Sequence, residues 1–401
     1  MLANAAKERD RGERKSVQGG VSGIDQAGGR LRLMLWILAA IVSHCITPPG
    51  DRSRSRGQPA GGSALSFAAF VAYPARMTTS TAQSRSGAAD ASRDCAAVLV
   101  TYFPDTEVLV TVLAATLPQV DRVIVVDNGS PDGLEDALRD LIASGRVAVR
   151  RLGRNYGIAY AHNRGLEEIL AAGYRHALIL DQDSIPQPGM VAALASAVDD
   201  AAASGLSISA AGPRYVDPRT GQEPFFAGLG RWRFRRLTCA DANGAPYIPV
   251  DCLISSGMFV PASVLRDVGL MREDLFIDEV DTEWCLRARA RGYRCIGACL
   301  AMMAHTLGSD TIEINFSRSR HVPIHSPVRL YYIVRNGILL SRMPHVPSTW
   351  WMPNFKRLAA QLVLFSTVVS PRLRNLAMML RGLRDGVFNR SGPYGATHAR
   401  R

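Results

Sequence analysis

Three groups of carboxylates stand where apolar runs end, and each suits one part of a reaction on an anionic ligand. Asp181-Gln182-Asp183 directly follows Ala177-Leu178-Ile179-Leu180, so two acids emerge together from a buried segment. Hard oxygen donors of this kind suit Mg²⁺ or Mn²⁺, which bind through one or two carboxylates and share their remaining positions with substrate phosphates; the bland alternative is a turn or a helix cap. Asp127 ends Val123-Ile124-Val125-Val126 in the same way, with Thr101 at the end of the run before it. A carboxylate there can accept a hydrogen bond from a nucleobase imide or a ribose hydroxyl, or simply close an Asx-turn over Asn128-Gly129. The third group is Asp278-Glu279-Val280-Asp281-Thr282-Glu283, four acids in six residues ahead of Trp284-Cys285-Leu286-Arg287. Such acids can act as a general base on a hydroxyl within hydrogen-bond reach, or merely complement a helix dipole. His305, after the apolar stretch Cys299 to Ala304, is a further candidate ligand.

The elements that must carry these residues follow from hydrophobic patterning. Strands are expected at Ala96 to Thr101, Val123 to Val126, Val147 to Arg151 and Ala177 to Leu180, and helices at Val108 to Leu117, Leu134 to Ala143 and Ile158 to Ala171. This alternation specifies an α/β fold, a mostly parallel Rossmann-like sheet with helices on both faces, and ligands of such sheets lie beyond the carboxyl ends of the strands. In Asn155 through Gly165, Gly157 lets backbone approach a ligand, and a helix opening at Ile158 presents N–H groups to phosphate. No GxGxxG follows the first strand and no GxxxxGK[ST] occurs, which sets dinucleotide-dependent dehydrogenases and P-loop enzymes aside.

The chain has 401 residues and a net charge of +12, favouring phosphate, nucleic acid or an acidic membrane surface as partner. Of its 47 basic residues only Lys7, Lys15 and Lys356 are lysines, a bias so uniform that it reflects coding composition. Residues 1–93 are rich in Arg, Gly, Ser and Ala and read as disordered, or as an extension ahead of a true start at Met77; the apolar run Leu33 to Val42 is short for a membrane span. Seven cysteines without a CxxC pair argue against a disulfide framework, so Cys295 and Cys299 are expected to be core thiols. Arg231, Arg233, Arg235 and Arg236 interleave with Trp232 and Phe234 in a loop that could meet a sugar acceptor or its lipid diphosphate. Near the C-terminus Phe355, Leu358, Leu362, Phe365 and Val369 form an apolar stripe, followed by Arg372, Arg374, Arg381 and Arg384, a pattern suited to an anionic membrane surface, or to docking of the stripe on the catalytic domain.

Jointly, Val100-Thr101-Tyr102, Val126 through Ser130, Asn155 through Gly165, Leu180 through Ser184, Ser256-Gly257 and Leu275 through Asp281 resemble an inverting family 2 glycosyltransferase of the GT-A fold, and in particular the bacterial rhamnosyltransferases. The resemblance implies a catalytic domain over residues 94–312; residues 313–401 are expected to form a C-terminal helical region, membrane-associated through its stripe and arginines. The resemblance also implies that Thr101 and Asp127 hold the nucleoside, with Asn155 and Asp181 near the nucleotide. Asp183 would be the principal metal ligand beside Asp181, and His305 would complete the diphosphate–metal site. Counting back from Leu286-Arg287 aligns Asp281 with the family's base and Glu283 with its second acid; Val280 replaces a family glutamate, and Asp278 is the reserve base. Tyr332, Arg335 and Asn336 resemble a family motif to which no role attaches. The implied donor is dTDP-β-L-rhamnose and the implied acceptor a glycan or lipid-linked sugar, at the cytoplasmic face of the cell membrane and without nucleic acid. The rivals are a transferase using UDP-galactofuranose or UDP-N-acetylglucosamine, and a non-catalytic nucleotide-binding scaffold.

Overall fold

In the computed structural model, which describes residues 94–216, 224–305, 311–315 and 319–395, the uninterrupted apolar runs become the centre of a nine-stranded sheet. The first half alternates as the pattern requires: β1 (Cys95–Thr101), α1 (Thr106–Thr116), β2 (Arg122–Asp127), α2 (Leu134–Ala137), α3 (Arg139–Ala143), β3 (Val147–Arg151), α4 (Ile158–Ala171) and β4 (His176–Asp181). There follow β5 (Ser184–Pro186), α5 (Met190–Ala203), β6 (Ile208–Val216), the hairpin β7 (Phe226–Leu229) and β8 (Phe234–Leu237), β9 (Tyr247–Val250), β10 (Met258–Pro261), α6 (Ala262–Val268), α7 (Val280–Ala290) and β11 (Arg294–His305). A small hairpin, β12 (Thr311–Asn315) with β13 (Ser319–Pro323), leads to three helices, α8 (Pro327–Ser341), α9 (Ser348–Thr367) and α10 (Arg372–Val387).

The sheet runs β3-β2-β1-β4-β10-β6-β11-β5, with β9 beside β11. β1 to β4 are mutually parallel, whereas β10 enters antiparallel between β4 and β6. Register brings the chemistry level: Thr101 pairs with Asp127, and Val100 with Asp181. One face is covered by α4, α6 and α7, the other by α1 and α5. α4 lies very close to the sheet because Gly165 has no side chain; a Cβ there would stand 2.1 Å from Val98 Cγ2. The single helix expected over Leu134 to Ala143 is instead two short ones broken at Leu138.

Two expectations change. Cys239 and Cys299 form a disulfide, while Cys95, Cys252, Cys285 and Cys295 are free. Sixty residues separate the pair, and Cys299 lies where β11 shifts register between Ala298 and Met302, a tertiary feature that spacing does not report. The apolar stripe near the C-terminus is largely consumed by packing: Leu358, Phe365 and Val369 are buried with Leu330, Ile333, Val334 and Met379 between α8, α9 and α10, and of the five only Phe355 is strongly exposed. The expectations for residues 1–93, Met77 included, lie outside the described residues.

Candidate active site

The carboxyl ends of β1 and β2 are tied together by Asp127, which is fully buried. Its Oδ1 accepts from Thr101 Oγ1 at 3.1 Å and from Ser130 Oγ at 2.5 Å, and its Oδ2 from Ser130 N at 3.0 Å. Ser130 Oγ in turn accepts from Phe103 N at 2.8 Å. Asp127 therefore closes the Asx-type turn and also locks the preceding loop, whose Tyr102 and Phe103 present largely exposed rings at 4.7 Å from one another. Gln182 Oε1 accepts from Tyr102 N at 2.8 Å, joining that loop to the strand end of Asp181 and Asp183. The two exposed aromatics, absent from the sequence-derived set, flank the strand ends where a nucleobase would lie.

Asn155 stands beside this turn. Its Oδ1 accepts from Asn128 Nδ2 at 3.2 Å and from Gly157 N at 2.9 Å, while Asn128 Oδ1 accepts from Tyr156 N at 2.9 Å. Gly157 has φ +92°, and a Cβ on it would stand 2.5 Å from Phe276 O. The first amide of α4 does not await a phosphate: Ile158 N donates to Phe276 O at 2.7 Å. Gly157 thus serves close approach of the 276–279 segment rather than of a ligand.

Asp181 and Asp183 project from the end of β4 and the turn after it. Ser184 opens the next strand, bonds through its hydroxyl to the Ser256 hydroxyl, and pairs across the sheet with His305. The His305 side chain lies outside the described residues. Among the described residues no three His, Cys, Asp or Glu side chains form a metal cage. Asp181 and Asp183 offer hard oxygen donors of the kind that suits Mg²⁺ or Mn²⁺ shared with a diphosphate.

The acidic segment is sorted by its partners. Asp278 is paired with Arg329 of α8 at 3.1 Å, Glu279 with Arg357 of α9, and Glu283 with Arg287 at 3.0 Å and with His345, also at 3.0 Å. Glu283 is fully buried; burial alone would raise its carboxyl, but His345 and Arg287 prevail and hold it below its usual range. Asp281 is held differently. Thr282 N donates to its Oδ1 at 2.7 Å and Ser255 N to its Oδ2 at 3.2 Å, with Thr282 Oγ1 at 3.4 Å from Oδ1. Burial first, then the charges of Glu279 and Asp278, push the Asp281 carboxyl up to about 6 against those amides. It borders a cavity of about 130 Å³ walled by Pro213, Tyr215, Phe225 and Ser256. Burial also raises Asp278, outweighing Arg329. Arg329 itself stands above its ordinary value although burial opposes this, because Asp278, Asp181 and Asp281 all lie within electrostatic reach. The strand end of Asp181 and the acidic segment therefore share one crevice.

Residues 97–262 match the model of glycosyl transferase family 2. The chain is 35% identical over 251 residues to the dTDP-rhamnosyl transferase RfbF of Shigella flexneri, covering 63% of this chain and 81% of that protein. The chain belongs to glycosyltransferase family 2. Among solved structures, S. aureus TarS 1-349 in complex with UDP-GlcNAc superposes with a TM-score of 0.50 at 14% identity, over 74% of this chain and 81% of TarS 1-349, which agrees with the GT-A fold. In this family 2 glycosyltransferase the structure brings Thr101, Asp127, Asn155, Asp181, Asp278 and Asp281 to one end of the sheet, with Asp183 and the backbone of His305 beside them.

The motif residues Tyr332, Arg335 and Asn336 acquire contacts here. Phe276, Asp278 and Glu279 all have positive φ, at 68°, 63° and 62°, a conformation costing about 1–3 kcal/mol for each such non-glycine residue unless the surroundings impose it. Asn336, fully buried on α8, donates from Nδ2 to the carbonyls of Leu275, Ile277 and Asp278 at 2.9, 2.7 and 2.9 Å. Arg335 donates to Leu275 O at 2.8 Å and through Nε to Asn336 Oδ1 at 2.9 Å. Tyr332 stacks on Phe276, centroids 5.0 Å apart. Composition offers one signal for these residues, polar side chains at adjacent positions of an otherwise apolar helix, and that signal says only that partners must exist.

Proposed function

We propose that this enzyme transfers L-rhamnose from dTDP-β-L-rhamnose to a glycan or lipid-linked acceptor by a single displacement with inversion. The donor rests on the likeness to the dTDP-rhamnosyl transferase RfbF together with Asp181-Gln182-Asp183-Ser184. The observation that carries the mechanism is the difference among the four acids. Asp278, Glu279 and Glu283 are each neutralised by an arginine, whereas Asp281 is held by amides and a hydroxyl and raised to about 6. A carboxylate poised there is ionised at neutral pH yet basic enough to take a proton from an attacking hydroxyl. Asp281 Oδ removes the acceptor proton, the hydroxyl oxygen bonds to the anomeric carbon, and the bond to dTDP breaks on the opposite side, which yields an α-L-rhamnoside. Asp278 is then a paired acid that raises its neighbour rather than the base. Thr101, Asp127 and Asn155 shape the nucleoside end of the crevice. Asp183 and Asp181, with His305, would hold Mg²⁺ or Mn²⁺, which supplies charge stabilisation to a leaving diphosphate.

Incubation with dTDP-β-L-rhamnose, UDP-N-acetylglucosamine and UDP-galactofuranose, each with a panel of lipid-linked acceptors, tests the reading by product mass and anomeric coupling. An α-rhamnoside from the first donor is expected; transfer only from a uridine donor would overturn the donor assignment, and transfer from none would overturn the transferase reading.

Among the described residues no helix is long and apolar enough to cross a membrane, and the peripheral contact at the inner face of the cell membrane belongs to α10 rather than to the α9 stripe. Leu373, Leu380, Leu383 and Val387 are exposed along one side of α10, with Leu373 84% exposed, beside Arg372, Arg374, Arg381 and Arg384. The helix's one acid, Asp385, is buried against Tyr331 and Arg384. Arg384 is paired with Asp385, whereas Arg372, Arg374 and Arg381 have no acidic partner among the described residues; such arginines around leucines suit anionic headgroups, and set against a second copy of the same face they would repel.

A further inference from the structure

The base of the reaction stands two residues beyond a backbone that its own residue types do not favour. Glu279 has φ +62° and ψ +8°, a left-handed conformation, and Phe276 and Asp278 also have positive φ, Phe276 with ψ −64°. Asp281 begins the first turn of α7 immediately after them, so the path of residues 276–279 decides where its carboxyl points. No glycine relieves this segment. The stabilisation arrives from α8, more than fifty residues away in sequence, where the Asn336 amide serves three of its carbonyls. Arg335 Nε bonds to Asn336 Oδ1 and thereby fixes which way that amide faces, while Gly392 and Leu275 carbonyls hold the guanidinium.

Resting on the reading of Asp281 as base, we infer that Asn336 is a positioning residue for catalysis: it holds the 275–279 segment, in which Phe276, Asp278 and Glu279 have positive φ, and so places the Asp281 carboxylate against the acceptor hydroxyl. It touches neither donor nor acceptor. A residue that only filled the core would affect melting, whereas a positioning residue affects turnover and the order of one segment. Misplacing a reacting group by about 1 Å costs on the order of a hundredfold in rate.

The experiment compares wild type with Asn336→Ala, Glu279→Gly and the double variant. The expected result for Asn336→Ala is kcat reduced about a hundredfold, KM for dTDP-rhamnose changed less than about threefold, and faster amide exchange confined to the peptide over 275–283. Glycine takes positive φ without strain, so the double variant recovers about tenfold or more of the kcat lost by Asn336→Ala, measured against Glu279→Gly alone. Wild-type kcat in Asn336→Ala, unchanged exchange at 275–283, or no recovery in the double variant overturns the inference. Should Asn336→Ala fail to fold, Glu279→Gly/Asn336→Ala is expected to restore a cooperative melt, and failure to do so overturns it equally. Exchange is read without substrate, so a wild type inactive on dTDP-rhamnose sinks the donor assignment and leaves the positioning role to be judged on its own readout.

Discussion

Asp281→Asn should abolish transfer, and its stability relative to wild type should rise as pH goes from 5 to 7. The carboxyl is raised by burial and by Glu279 and Asp278 from its ordinary 3.8 to about 6. A carboxyl raised in the fold contributes stability that is complete below the unfolded value and lost as pH rises through the folded one. At pH 5 about nine-tenths of folded molecules carry this proton, against about one in seventeen unfolded ones; at pH 7 few of either do. Wild type therefore loses on the order of 1 kcal/mol from this group between pH 5 and pH 7. Asparagine does not titrate, so the variant's stability relative to wild type should rise by that amount over the same interval. Urea midpoints followed by tryptophan fluorescence at the two pH values, at equal slopes, give the difference. In parallel, wild-type kcat/KM should show an acidic limb near pH 6, falling tenfold per unit below it, as a base must be ionised to act. A stability difference that stays constant from pH 5 to pH 7 would refute the raised carboxyl. Residual turnover in Asp281→Asn with Asp278→Asn inactive would move the base to Asp278.

Gly157→Ala places a Cβ 2.5 Å from Phe276 O at positive φ and should cost about 2–3 kcal/mol in chemical denaturation, whereas Gly133→Ala, also at positive φ but with open space around it, should cost about 1 kcal/mol. Asp183→Asn should remove the added thermal stabilisation that Mn²⁺ gives in the presence of dTDP while leaving the apoprotein's melting unchanged; equal metal-dependent shifts in both proteins would remove Asp183 from the metal site. Leu380→Glu/Leu383→Glu should weaken binding to phosphatidylglycerol vesicles about tenfold or more in co-sedimentation, with far-UV dichroism unchanged and no binding of wild type to pure phosphatidylcholine; a concentration-dependent dimer in wild type that the double variant abolishes would instead give that face to a second copy.

The parallel half of the fold was legible because its strands are buried on both sides and read as continuous apolar runs: Val147–Arg151 and Ile158–Ala171 fall where patterning places them, and β1, β2 and β4 differ only at their ends. Legible for the same reason were the strand-end acids, since a carboxylate straight after four buried residues has nowhere to go but the crevice. The break at Leu138 was not, because both halves satisfy the helical pattern. Nor was the fate of Leu358, Phe365 and Val369, as an apolar stripe looks the same whether lipid or another helix covers it; the buried neighbours Leu330 and Met379 decide that.

What residue order determined by itself was the class of sheet, the level at which Thr101, Asp127, Asp181 and Asp183 emerge, and a segment rich enough in acid to supply a base. Tertiary structure alone showed which partners each acid has. The resemblance ranked Asp281 ahead of Asp278 as base, and the structure adds what surrounds each acid: Arg329, Arg357 and His345 reach Asp278, Glu279 and Glu283 from distant segments, and Arg287 pairs with Glu283 one turn along the same helix. The contacts that hold the positive-φ segment ahead of the fourth, Asp281, likewise come from outside its own sequence. Electrostatic partners and backbone strain are relations between distant segments, and a carboxylate's role follows from the charges and amides that surround it in space.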